Sequence, residues 1–81
     1  MAIATTRFNY AALGPELRGF VQARTTEIHQ LVKEPLHDYT TIGQRVAEVH
    51  ARLRRGQFLA WLDAEFAWSE RTALRLMRLA Q

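Results

Sequence analysis

Apolar residues recur at helical spacing in the first half of this chain, from one proline towards the next. From Pro15 to about Lys33 they fall three, four and seven positions apart, so the pattern predicts a helix. Pro15 suits the first helical position, and Glu16 in the first turn complements the helix dipole. The stripe consists of Leu17, Phe20, Val21, Ile28, Leu31 and Val32. Residues 1–14 lack such a pattern and are expected to form an N-terminal arm.

A second helix with a cleaner pattern follows after a break. Pro35 disfavours helical geometry at Glu34, which places the break at residues 34–37. The second helix is expected over about 39–54, where the apolar positions lie within roughly 40° of one another around the axis. These positions are Ile42, Val46, Val49 and Leu53, and the candidate N-caps are Asp38, Thr40 and Thr41. Gly56 is expected to end this helix in the C′ position.

The last stretch is typical of two short helices with a tight joint. The first is expected from Phe58 to Phe66 and the second from Glu70 to Ala80. The joint is Ala67-Trp68-Ser69, in which Ser69 is a natural N-cap.

The second of these helices carries arginines on one face. Arg71, Arg75 and Arg78 share an arc of roughly 60°, because each residue turns the helix by about 100°. The opposite face holds Ala73, Leu76, Met77 and Ala80. A helix packed by small and apolar residues with arginines outward is what DNA recognition needs. The sequence therefore predicts an all-α fold, a small four-helix domain in which a helical hairpin (15–33 and 39–54) precedes a C-terminal helix-turn-helix.

The net charge of +3 lies entirely in the second half of the chain. Residues 1–40 hold four basic and four acidic side chains, whereas residues 41–81 hold seven arginines and four acidic side chains. Arginine makes forked contacts to phosphate and to guanine. We therefore expect a polyanionic partner for the second half, although a solvated arginine-rich surface explains the same excess equally well.

The residue types present argue against several other functions. The chain has no cysteine, which excludes a disulfide framework, a thiolate zinc site and a thiol nucleophile. The histidines are isolated from one another, so no metal site is expected. There is no glycine-rich phosphate loop and no nucleophile–base set, so we expect no enzyme, no cofactor and no small-molecule substrate. No apolar run is long enough to span a membrane or to act as a signal peptide, so we expect a cytoplasmic protein.

Six short motifs keep fixed spacings over residues 42–80. They are IG at 42–43, RGQF at 55–58, WL at 61–62, EFAW at 65–68, SERTA at 69–73 and MRLA at 77–80. Together they resemble the bacterial and phage family known as domain of unknown function 3102. Arg55, where that family would have histidine, and Ala67, where glycine would be easier, depart from its pattern. The resemblance implies a helix-turn-helix-like end, an origin in mobile-element, plasmid or phage proteins, and a longer protein of which this chain is an N-terminal fragment.

A helix-turn-helix would insert the start of its last helix into the major groove. The expected base contacts are Glu70, Arg71, Thr72 and Arg75. The expected phosphate contacts are Arg45, Arg54, Arg55, Gln57, Ser69 and Arg78. Asp63 does not fit the motif, because a small residue usually lets its two helices close.

Double-stranded DNA is therefore the expected partner, in transcription regulation, plasmid partition or the control of a phage or mobile element at the nucleoid. One short helix buries too little surface for tight specific binding, so we expect a homodimer, with the first helix as a contact surface. The alternative is a protein–protein interaction module whose apolar N-terminal helix engages a partner, with the arginines incidental.

Overall fold

The computed structural model describes residues 8–81, and every regular element in that range is helical. A short 3₁₀ turn, Tyr10–Ala12, precedes four α-helices. These are α1 (Pro15–Lys33), α2 (Tyr39–Arg52), α3 (Arg55–Phe66) and α4 (Glu70–Leu79). The predicted all-α class with four helices is confirmed for this part of the chain. Half of the predicted N-terminal arm, residues 1–7, lies outside the described residues.

The starts of α2 and α4 follow from local sequence. Asp38 is the predicted cap that α2 uses, since its Oδ1 accepts the Thr41 N–H at 3.0 Å. At the start of α4, Ser69 Oγ accepts the Thr72 N–H at 3.3 Å. Both bonds satisfy amides that the first turn of a helix leaves without a partner. The predicted start of α1 at Pro15 is also confirmed.

The predicted boundary between α2 and α3 at Gly56 is wrong. α2 ends before Leu53, which is extended (φ −99°, ψ 150°) and only 8% exposed. The extended backbone at Leu53 separates the two helices, so α3 begins at Arg55, one residue ahead of Gly56. Gly56 does not have the positive φ expected of a C′ glycine. The Gln57 side chain accepts the Arg54 N–H at 3.1 Å and so caps the new helix.

The core is built around α2, which packs against α1 and α4 and also touches α3. The predicted stripe of α2 is confirmed, because all four of its side chains are buried: Ile42, Val46, Val49 and Leu53. α3 adds Phe58 and Trp61, the two largest fully buried side chains in the described range. α1 contributes Val21 and Ile28 from its predicted apolar face.

Gly43 lets α4 lie close against α2. It is a buried residue of α2, and a Cβ added there would overlap the carbonyl oxygen of Leu76 and lie 3.2 Å from the Cβ of Ala80. The obstacle is helix backbone rather than a flexible side chain, so a methyl group can be accommodated only if one helix moves. The inner face of α4 also carries a small side chain, Ala73, which is fully buried.

A buried hydroxyl group links α1, α3 and the N-terminal turn. Thr25 Oγ1 donates to the Val21 carbonyl oxygen at 2.7 Å and accepts the Trp61 Nε1–H at 2.9 Å. The Tyr10 hydroxyl lies 3.3 Å from Thr25 Oγ1 and donates to Glu65 Oε2 at 2.6 Å. The burial of the indole is therefore matched by a hydrogen bond, which a buried N–H requires.

We expect Gly43→Ala to lower the free energy of unfolding by roughly 1–3 kcal/mol, the usual effect of overpacking a core, despite the better helix propensity of alanine. Gly19→Ala is the matched control, because nothing lies within 4 Å of a Cβ added there. That change should raise the free energy of unfolding by about 0.5–1 kcal/mol. Urea denaturation followed by circular dichroism measures both. Equal stability of Gly43→Ala and the parent chain would contradict the close crossing.

Tyr10 should make stability depend on pH in the alkaline range. The pKa of Tyr10 is raised from 10.0 to about 12. Burial is the largest cause, and the hydrogen bond to Glu65 is the second. The folded state thus holds the phenolic proton more tightly than the unfolded state does. The contribution of Tyr10 to stability is therefore complete below about pH 10 and is lost as the pH rises through about 12.

The variant Tyr10→Phe should flatten the loss of stability in that window. A denaturation series between about pH 9 and 12 measures the difference from the parent chain. An equally steep loss in Tyr10→Phe would show that another group is responsible.

Candidate nucleic-acid interface

α4 turns its arginines to solvent while its inner face packs on α2. Arg71, Arg75 and Arg78 are exposed, whereas Ala73 and Leu76 on the opposite side are 0% and 8% exposed. None of the ion pairs formed among residues 8–81 involves these three arginines. The predicted division of this helix into two faces is confirmed. It leaves three cationic groups on one surface, where an anion can reach them.

Two exposed leucines flank the arginine row. Leu74 is 43% exposed and Leu79 is 58% exposed, and at about 100° per residue they fall on opposite sides of the row. Sequence reasoning missed them, because leucine in an amphipathic helix is normally assigned to the core. The available signal was their angular offset from Leu76, which lies on the buried face. Apolar side chains in this position can contact the methyl groups of thymine in a major groove.

The joint between α3 and α4 is a short turn with one left-handed residue. Ala67 has φ 56° and ψ 36°, a conformation that costs a residue with a Cβ roughly 1–2 kcal/mol. Its N–H donates to the Asp63 carbonyl oxygen at 3.0 Å, and the Trp68 N–H donates to that of Leu62 at 3.3 Å. Trp68 also stacks on Phe66 at 4.5 Å between ring centroids. These contacts fix the direction in which α4 leaves α3.

Asp63 does not stand between α3 and α4, although its size does not fit a helix-turn-helix. Its side chain is exposed, so it does not hold the two helices apart. The small residue that permits a close helix approach is instead Gly43, which faces α4 from α2.

An ion pair joins the starts of α3 and α4. Arg55 Nη2 donates to Glu70 Oε1 at 2.7 Å, and Arg55 Nε donates to Glu70 Oε2 at 3.4 Å. The side chains are 73% and 38% exposed, so the pair adds little to stability, about 0–1 kcal/mol. The pair brings Arg55, an expected phosphate contact, against Glu70, an expected base contact. The neighbouring Arg54 is exposed and belongs to none of the ion pairs of the described range.

The neutral side chains expected to contact DNA lie at the same helix starts. Gln57 and Ser69 each accept a backbone N–H through a side-chain oxygen. The Thr72 hydroxyl lies 3.3 Å from that of Ser69. The amide nitrogen of Gln57 still has donors to offer to a phosphate at the start of α3.

Arg45 lies apart from these residues, in a ring of four ion pairs between α1 and α2. It binds Glu27 at 2.7 Å and Glu48 at 2.9 Å. Arg24 binds the same two carboxylates, at 3.4 and 2.6 Å respectively. The hydrogen bond to Glu27 raises the pKa of Arg45, and its side chain is only 26% exposed. The structure therefore does not bring Arg45 together with the other expected phosphate contacts.

Residues 8–81 contain neither a metal-binding cluster nor a membrane-spanning helix. No group of three or more histidine, cysteine, aspartate or glutamate side chains there is placed to hold a metal ion. No helix of that range is long and apolar enough to cross a membrane.

Comparison with known proteins gives one match. A family model described as "Protein of unknown function (DUF3102)" matches residues 21–81. The matched range includes most of α1 together with α2, α3 and α4, so it extends further towards the N-terminus than the motifs at 42–80. No curated protein and no solved structure matches the chain. The family description states no activity.

Proposed function

We propose that this chain, which belongs to the DUF3102 family, binds double-stranded DNA through α4 and the start of α3. The family description assigns no activity. The observation that carries the proposal is the exposed row of Arg71, Arg75 and Arg78 on a helix whose other face is locked onto α2. Arginines presented in a row on a rigid helix can enter a major groove together, without a separate ordering step for each.

We also propose a specific arrangement of the four helices. α1 and α2, which pack together, would form a helical hairpin that supports a helix-turn-helix made of α3 and α4. Two observations support that motif. Helix-turn-helix units join their helices by three or four residues, often with glycine, and here three residues separate α3 from α4. The first of them, Ala67, adopts the left-handed conformation that glycine prefers.

The start of α4 supplies the base contacts in this mechanism. Arg71 and Arg75 would donate in a forked manner to the O6 and N7 atoms of guanine, and Glu70 would accept from the N4 amino group of cytosine. Thr72 is the fourth proposed base contact. The phosphate contacts come from Arg54, Gln57, Ser69 and Arg78, which position α4 in the groove, and Arg55 adds another when it is released from Glu70. Arg45 is left out, because two carboxylates already bind its guanidinium group.

The protein would act as a homodimer at the nucleoid. One short helix contacts only a few base pairs, and two-fold symmetry doubles the contact surface and sets the spacing of half-sites. The family resemblance favours transcription regulation, plasmid partition or the control of a phage or mobile element as the process.

The interaction-module alternative receives little support from the packing of α1. Val21 and Ile28 on its apolar stripe are 0% exposed, and the other stripe residues pack against the same core. The stripe that would have engaged a partner is therefore used inside the domain.

DNA binding should weaken steeply as salt rises, because each phosphate contact releases counterions. In a mobility-shift titration on a mixed DNA pool, replacing Arg71 and Arg75 together by alanine should weaken binding by about 1–3 kcal/mol per contact, or roughly five- to 150-fold for each. Helical content should stay unchanged, since both side chains are exposed.

The matched control removes the same charge elsewhere. Arg18→Ala with Arg52→Ala takes one positive charge from α1 and one from α2, and neither side chain belongs to an ion pair of the described range. Binding by this control should fall far less than binding by the α4 variant. The proposal fails if the parent chain is not retained by any DNA at low salt, or if both double variants bind equally weakly.

Removal of the Glu70 charge should release Arg55 for phosphate. We expect Glu70→Gln to tighten binding to mixed-sequence DNA and to steepen the slope of log K against log salt by about one contact. Glu16→Gln, which removes an exposed carboxylate from α1, is the control for overall charge. An equal change of slope in both variants would show that only the total charge matters.

A further inference from the structure

The connection between α1 and α2 holds the most exposed large apolar side chain of the described range. Leu36 is 87% exposed, and Tyr39, at the start of α2, is 50% exposed. The residues between them are exposed as well. A leucine in water on a short connection gains free energy if a partner buries it. This exposure is not explained by the fold, because Leu36 does not belong to the core.

An apolar cleft opens beside this leucine. It has a volume of about 200 Å³ and is lined by Val32, His37, Tyr39, Ile42, Trp68 and Leu76. One wall is held in place, because His37 Nδ1 lies 2.9 Å from the Tyr39 hydroxyl and the two rings meet edge to face. Cavities that bind cofactors and drug-sized molecules usually measure about 300–1,000 Å³. This cleft therefore suits a single apolar side chain better than a small molecule.

We propose that this surface is the homodimer interface, in which Leu36 of each copy enters the cleft of the other. In a two-fold symmetric contact the same patch faces itself, so a protruding residue and the hollow that receives its counterpart must lie on one patch. The chain meets this requirement, because His37, the residue after Leu36, lines the cleft.

The charges at the rim fit a second copy as well. Lys33 and Glu34 at the end of α1 are exposed and lie outside the ion pairs of the described range, and Asp38 is exposed at the start of α2. Hydrogen bonds from Thr41 lower the pKa of Asp38, and an aspartate of ordinary pKa is already charged at neutral pH. A patch that carries both signs can pair with its own copy when the two face each other in opposite directions.

The interface leaves the arginine row open. Leu76, which lines the cleft, lies on the buried face of α4, whereas Arg71 and Arg75 are exposed. This inference gives the homodimer of the proposed function a surface other than α1. It is tested without DNA, so its failure and the failure of DNA binding can be told apart.

Sedimentation of the full chain over a concentration series is the test. The parent chain should approach twice its mass of 9.4 kDa as the concentration rises. Leu36→Glu should raise the dimer dissociation constant by at least about tenfold, as expected for an interface anchor. Leu74→Glu is the matched control, because Leu74 is 43% exposed and, at about 100° per residue, falls on the side of α4 opposite Leu76, which lines the cleft. It should leave the dissociation constant unchanged.

A charge exchange gives a second, independent readout. Glu34→Lys should weaken the dimer, and Glu34→Lys combined with Lys33→Glu should restore it. Tryptophan emission gives a third, because Trp68 lines the cleft whereas Trp61 is already fully buried in one copy. Emission should therefore shift to longer wavelength as the parent chain is diluted.

Three results would overturn the proposal. One is a parent chain that stays monomeric up to millimolar concentration. Another is a dimer that Leu36→Glu leaves intact. The third is a dimer that Leu36→Glu and Leu74→Glu weaken to the same extent, since any added charge would then have this effect.

Discussion

The close crossing of α2 and α4 at Gly43 is the constraint on which the rest of the structure depends. α4 makes its principal packing contact with α2, and at Gly43 the backbone of one helix faces the Leu76 carbonyl group of the other without a side chain between them. That approach buries Ala73 and Leu76 and thereby fixes the rotation of α4 about its own axis. Once the rotation is fixed, the arginines can only point outward. A larger residue at Gly43 would alter the distance or the angle of α4 and hence the surface it presents.

The distribution of charge follows from how the helices pair. Glu27 and Glu48 lie between α1 and α2, where they bind Arg24 and Arg45 in a closed ring. Arg52 is also held on that side, where its guanidinium group lies 4.3 Å from the centre of the Phe20 ring. Apart from Arg18 on α1, the described arginines that make none of these contacts are therefore concentrated on the outer face of α4 and at the start of α3. A net charge of +3 would be a weak argument for a polyanionic partner if it were spread evenly, but here it is focused.

Much of the fold could be predicted from the sequence, because the helices depend on local patterns. The stripe of α2, the caps Asp38 and Ser69 and the two faces of α4 all follow from spacing and residue type. The predicted end of α2 was wrong, because a glycine is only one way to end a helix. The buried Leu53, in an extended conformation, ends α2 earlier in the chain.

The contacts between distant residues left no local signal in the sequence. The hydroxyl of Thr25 receives Trp61 from 36 positions away, and a threonine in an apolar stripe resembles a weak point rather than a hydrogen-bond partner. The same applies to the pairing of Arg45, which looked like any other surface arginine. The candidate site was predictable as a row of arginines, whereas the leucines beside it and the ion pair between Arg55 and Glu70 depended on how α3 and α4 are oriented.

The most direct test of the central claim is an NMR titration of the isotope-labelled protein with a short DNA duplex, in which backbone amide shifts are followed residue by residue. If α4 is presented to DNA by its packing on α2, the largest shifts should fall in the first two turns of α4 and at the start of α3. The amides of α1 and of the connection around Leu36 should change little. Large shifts confined to α1 or to that connection, with α4 unaffected, would contradict the claim.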